Sequence, residues 1–127
     1  MRMLLLALAI FHVANGVIML AAPELWYANV PGVTETGPAN VHFIRDIGLA
    51  FIAAGTALFM GVRSQHFAAL LVPAAIFLSG HAGLHAVEMV VHGTEKGEAI
   101  RDIATIVLPG LLPLYAIAQM RLKTRRA

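Results

Sequence analysis

The stretch Phe67-Ala-Ala-Leu-Leu-Val-Pro-Ala-Ala-Ile-Phe-Leu-Ser-Gly-His81-Ala-Gly-Leu-His85-Ala-Val-Glu88-Met-Val-Val91 decides the fold. It is apolar and long enough to cross a bilayer, which takes about 20 mainly apolar residues as a helix. It nevertheless carries His81, His85 and Glu88, with His92 just beyond. Steps of four, three and four residues stack these side chains on one helix face. Ionisable groups at such depth are costly and normally face a partner, a cavity or a metal.

Three more segments have the same apolar character, so the spans fall at about 3–22, 42–62, 67–91 and 100–120. Only 13% of the chain is charged, against about 25% in soluble domains. The expected fold class is all-α: a four-transmembrane-helix antiparallel bundle, one integral membrane domain over residues 1–127. The net charge of +2 does not indicate nucleic acid, because the basic residues gather at one end. The expected partners are the lipid bilayer and either other membrane subunits or a second copy. The absence of cysteine excludes disulfides, thiolate metal sites and Fe–S clusters. The first span looks like a signal sequence at Arg2 and Ala21-Ala22, but its apolar run is long and holds His12 and Asn15. It reads as a retained span.

Lys and Arg placement gives the orientation. Arg2 precedes the first span, Arg63 follows the second, and Arg121, Lys123, Arg125 and Arg126 follow the fourth. The segment 22–41 has Glu24 and Glu35 but no Lys or Arg. Both termini are therefore expected to be cytoplasmic in a bacterial inner membrane. Pro23, Pro31-Gly32 and Gly37-Pro38 punctuate the first outer loop, which argues against regular structure there. Trp26 and Tyr27 read either as interfacial anchors or as part of a lid. Two short echoes run through the chain: Arg45-Asp46-Ile47 with Arg101-Asp102-Ile103, and Ala9-Ile10-Phe11 with Ala75-Ile76-Phe77. They are what a parallel repeat of two helical hairpins would leave.

The polar residues gather toward the outer half of the spans. His42, Arg45 and Asp46 share a face of the second span; Glu98, Arg101 and Asp102 open the fourth; His12 and Asn15 lie deeper in the first. If all these faces turn inward they form one polar pocket. His81 and His85 are the strongest metal candidates, since imidazoles four residues apart on a helix can share an ion such as Fe, Cu or Zn. His42, Asp46 and Glu88 would complete an N/O ligand set. Glu88 would be the catalytic base in a hydrolytic version. Arg45, Glu98, Arg101, Asp102, His12 and Asn15 would form the surrounding layer, with the carboxylates orienting ring N–H groups.

Two other readings compete. Haem b could sit between His42 or His12 and His81 or His85, with Gly80 and Gly83 giving room. Alternatively the charges form only a structural network, Arg45 with Asp102 or Glu88 and Arg101 with Asp46, in a non-enzymatic subunit or small transporter. His12 alone on an apolar face reads more naturally as a packing residue. His66 and His92 read as solvated loop-end residues.

The His-x3-His spacing resembles membrane di-iron hydroxylases and desaturases, which carry further histidine boxes and adjacent His-His pairs that this chain does not have. The stretch Trp26-Tyr27 with Val30-Pro31-Gly32-Val33, then Asn40, His42-Phe43 and Arg45-Asp46-Ile47-Gly48, resembles small four-span membrane proteins of proteobacteria. The wider DoxX-like group is similar in size and span number. The resemblance implies an inner-membrane four-helix bundle and assigns no residue a role. The function expected is an integral membrane metal-binding protein, an oxidoreductase on a lipophilic substrate in its redox version.

Overall fold

The computed structural model describes the backbone of residues 1–64 and 67–124 and the side chains of 1–64 and 69–119. His66 and the basic side chains after Gln119 lie outside the described residues. The chain is an all-α four-helix bundle. Its long helices are α1 (Arg2–Ala21), α3 (Val41–Arg63), α4 (Phe67–His92) and a fourth rod. That rod is made of α5 (Lys96–Asp102), a π-helical turn (Ile103–Val107) and α6 (Leu108–Thr124). A short helix α2 (Pro23–Asn29) and a 3₁₀ turn (Val33–Thr36) lie between α1 and α3. All four rods are long and apolar enough to cross a membrane, as in a multi-pass membrane protein.

The rods pack in the order α1–α3–α4–α6, and α1 meets α6 over a short stretch only. The buried stripe of α1 is Leu5, Leu8, Ala9, His12, Gly16 and Met19. That of α3 is Ile44, Gly48, Phe51, Ala54, Gly55, Leu58 and Gly61. Steps of three and four place each stripe on one helix face. Lipid tails are as apolar as leucine, so contact between such helices depends on close packing rather than on a hydrophobic driving force. Glycine permits that contact. A Cβ at Gly48 would lie 2.9 Å from Met19 Cβ and 3.0 Å from the Gly16 carbonyl oxygen. The second close crossing is between α4 and α6, where a Cβ on Gly110 would lie 2.7 Å from Ala82 Cβ.

The helices therefore pair as two hairpins, α1/α3 and α4/α6, joined along α3–α4. The offset relating Phe11 to Phe77 also relates Gly16 to Ala82, the two crossing residues. The offset relating Asp46 to Asp102 instead pairs Gly48 with Ala104, whereas the residue at the crossing is Gly110. One echo thus marks equivalent places and the other does not.

Three local features depart from the sequence expectation. The loop between α1 and α3 is ordered: Pro23, with φ already helical, starts α2 at its first position. Trp26 Nε1 donates to Asn15 Oδ1 at 2.9 Å and the Tyr27 hydroxyl to the Gly37 carbonyl at 2.6 Å, which tie this loop down. The fourth rod begins at Lys96, earlier than expected, because α4 is ended sharply by Gly93 at φ 70°. The π turn is the third feature. Pro109 has no N–H, and its ring would crowd the Thr105 carbonyl of a regular α-helix. The Leu108 N–H instead reaches back five residues to Ile103.

Candidate functional site

A row of rings crosses the bundle between its two hairpins. His12 on α1 is buried, with 8% of its surface exposed, and neither ring nitrogen has a hydrogen-bond partner. It stacks on Phe51 of α3 with centroids 5.2 Å apart. Phe51 stands edge-on to His81 of α4 at 5.7 Å and to Phe77 at 5.0 Å. His81 and His85 are adjacent, with centroids 4.8 Å apart. His85 Nδ1 lies 3.5 Å from Asp102 Oδ2 on the fourth rod. Arg101 Nε lies 2.9 Å from Asp102 Oδ1. The row thus leads from an apolar interior to an ion pair at the loop-bearing end.

The π turn positions Asp102. In a continuous α-helix, eight residues turn the chain about 80° past two full revolutions, so Asp102 would point well aside from Gly110. A π turn takes up roughly one extra residue, an offset of about 100° in the face presented. Asp102 thereby falls nearly in line with Gly110, the residue pressed against α4, and so meets His85.

The residues proposed from sequence separate into two sets. His81, His85, Asp102 and Arg101 come together, with Asp102 placed as an orienting partner of His85. His42 and Asp46 do not join them. They pair with each other at 3.4 Å on α3, their side chains 90% and 55% exposed. The reason is helical phase: Phe51 faces α4, and His42, nine residues earlier, lies half a turn away on the outward side. Glu88 is exposed and Glu98 half-buried. Asn15 serves Trp26 and donates to Met19 Sδ. Arg45 donates to the Leu20 carbonyl and not to Asp102 or Glu88, and Arg101 takes its own neighbour Asp102 instead of Asp46.

Among the described residues, no three His, Asp or Glu side chains converge to hold a metal ion. The donor set that these residues offer is therefore the two imidazoles of His81 and His85. Haem b does not fit between His12 and His81, because Phe51 fills the space between their rings. Gly80 and Gly83 lie on the exposed side of α4 with open space beyond them.

Sequence reasoning passed over Phe51 and Phe77, the rings that connect the histidines of α1 and α4. The signal was present: Phe51 is in phase with Gly48, Ala54 and Gly55, the small residues that mark the inward face of α3. It also passed over Ser79, whose hydroxyl donates to the Gly110 carbonyl at 2.7 Å and ties α4 to α6. No family model, curated protein or solved structure matches the chain.

Proposed function

We propose that this is a multi-pass bacterial inner-membrane protein, both termini cytoplasmic, whose His81–His85 pair binds a transition metal ion near the outer surface. The observation that carries this reading is the pair itself: two imidazoles in contact, one of them held from behind by a carboxylate. Metal-bound histidines commonly give their second ring nitrogen to a carboxylate, which fixes ring orientation and raises ligand basicity. With Nδ1 directed to Asp102, His85 would offer Nε2. Arg101 holds the Asp102 carboxylate in place, and Phe51 and Phe77 stand against the ring of His81. An Fe, Cu or Zn ion held there would supply Lewis acidity, or with Fe or Cu a redox centre open to a lipophilic substrate.

The approach of His85 Nδ1 on α4 to Asp102 Oδ2 at 3.5 Å favours a second reading, a structural tie between α4 and the fourth rod in a non-enzymatic subunit. Elemental analysis and an absorption spectrum of protein purified in mild detergent separate the two. The metal reading expects stoichiometric metal in the wild type, lost in His81→Ala and in His85→Ala, and no Soret band. A wild type that takes up no metal on titration overturns it and leaves the structural tie.

A further inference from the structure

The loop between α1 and α3 has two parts that are held differently. Its first part, α2, is fixed to the hairpin beneath it: Trp26 donates to Asn15, and Trp26 and Tyr27 pack against the core. The second part is the 3₁₀ turn Val33–Thr36, none of whose residues is buried. It is bonded within itself, Thr36 Oγ1 to the Val33 carbonyl at 2.7 Å and the Glu35 N–H to the Gly32 carbonyl at 3.2 Å. Gly32 at φ 83° and Gly37 at φ 125° bracket it. Both angles are ones that glycine adopts without steric cost. A compact turn between two such residues can swing as a unit, because hinges work by φ/ψ changes at a few loop positions.

This turn meets the fourth rod at Arg101. A Cβ placed on Gly32 would lie 3.2 Å from Arg101 Nη2, so the backbone there rests on the guanidinium. Glu35 in the turn and Glu98, one helical turn before Arg101, both attract its charge. The same guanidinium gives Nε to Asp102 Oδ1 at 2.9 Å, and Asp102 Oδ2 faces His85 Nδ1 at 3.5 Å. Contacts thus run unbroken from the turn to His85. Arginine suits the middle position, since its planar fork of five N–H groups serves partners on two edges at once.

We propose that the Val33–Thr36 turn is a flap over the Asp102–His85 end of the ring row, hinged at Gly32 and Gly37 and latched by Arg101. Closed, the flap leaves the side chain of His85 28% and that of Asp102 14% exposed. Swinging away, it uncovers the Arg101–Asp102 pair and widens the approach to His85 from water. The use of this flap as a gate for a bound ion rests on the metal reading above, whereas the latch stands without it.

The chain contains no cysteine, so Thr34→Cys, at an exposed position of the turn, carries a single nitroxide spin label. In lipid bilayers the label should be restrained in the otherwise unchanged chain and mobile after Arg101→Gln or Glu35→Arg. Asp46→Asn should leave it restrained. Opening is read at His85 by modification with diethyl pyrocarbonate and mass spectrometry, with His42, 90% exposed, as the reference in the same molecule. Glu35→Arg repels the latch without altering Asp102. It should raise the rate at His85 relative to His42 by about twofold to fivefold, the factor that a partly exposed ion pair of up to about 1 kcal/mol supports. An unchanged label in both variants overturns the latch. A mobile label with an unchanged rate at His85 overturns the flap as a cover of this site. Neither readout uses a metal, so a protein that takes up no ion loses the metal reading and keeps the flap.

Discussion

Arg45-Asp46-Ile47 and Arg101-Asp102-Ile103 are the same tripeptide at the loop-bearing end of two different rods, and the structure gives them different tasks. Asp46 faces outward, 55% exposed, and among the described residues its only ion-pair partner is His42 of its own helix. Asp102 is 14% exposed and receives His85 from a neighbouring helix as well as Arg101. Arg45 turns to the end of α1, at Leu20, while Arg101 stays with its own aspartate and lies beneath Gly32 of the loop between α1 and α3. A short motif therefore does not specify a site. The site is specified by helical phase and by what the adjacent rod presents at that depth.

The residue following each tripeptide gives the largest test of this contrast. Gly48 sits in the α1/α3 crossing, where a Cβ alone would press on Met19 and on the Gly16 backbone. Ala104 lies exposed in the π turn. Overpacking typically costs about 1–3 kcal/mol and occasionally more, and backbone at Gly16 cannot move aside as a side chain would. Gly48→Leu should thus destabilise the detergent-solubilised protein by at least about 3 kcal/mol, whereas Ala104→Leu should shift it by less than about 0.5 kcal/mol. Thermal or denaturant unfolding followed by circular dichroism measures both. Comparable losses at the two positions would mean that the surroundings of the two tripeptides do not differ at the residue that follows them.

The aspartates themselves come next. Asp102→Asn removes a carboxylate, 14% exposed, that faces His85 at 3.5 Å and accepts from Arg101 Nε, and disturbing a mostly buried polar contact costs about 1–3 kcal/mol. Asp46→Asn removes an exposed pair, a kind that contributes about 0–1 kcal/mol. Unfolding of the two variants should rank Asp102→Asn well below Asp46→Asn. If Asp102 orients a ligand, its variant should also lose metal, and Asp46→Asn should retain it. The reverse ranking would place the functional carboxylate on α3.

How much of this was legible in the sequence follows from the same physics. The four rods were legible because hydropathy over about 20 residues is a strong signal. The His81–His85 contact was legible because it lies within one helix, where spacing alone fixes proximity. The convergence of His42 and Asp46 on that pair did not follow, since it required knowing which face of α3 turns inward. Gly48, Phe51 and Gly55 answer that question, and weighting them above the polar residues would have turned the His42–Asp46 face outward. The approach of Asp102 to His85 was legible only as an orienting role. Its geometry depends on a change of helical pitch that hydrophobic periodicity does not report.

That change of pitch yields the smallest expected effect on stability and the sharpest test of the comparison. Pro109→Ala restores an N–H that can bond Thr105 and removes the ring that crowds it. The turn over Ile103–Val107 should then relax toward regular α-helix, regaining a backbone hydrogen bond of about 1 kcal/mol. Relaxation would also swing Asp102 away from His85 by about 100°. The gain and the loss nearly offset, so unfolding should change little. The coupling between the two side chains should change much more. A double-mutant cycle with His85→Ala and Asp102→Asn should give an interaction energy of about 0.5–3 kcal/mol in the parent, the range for residues in contact. The same cycle in the Pro109→Ala background should give nearly none. If the coupling survives, Asp102 is aimed by its Arg101 contact and not by the turn. The difference between the two Arg-Asp-Ile segments would then originate in the ion pair rather than in the proline seven residues beyond Asp102.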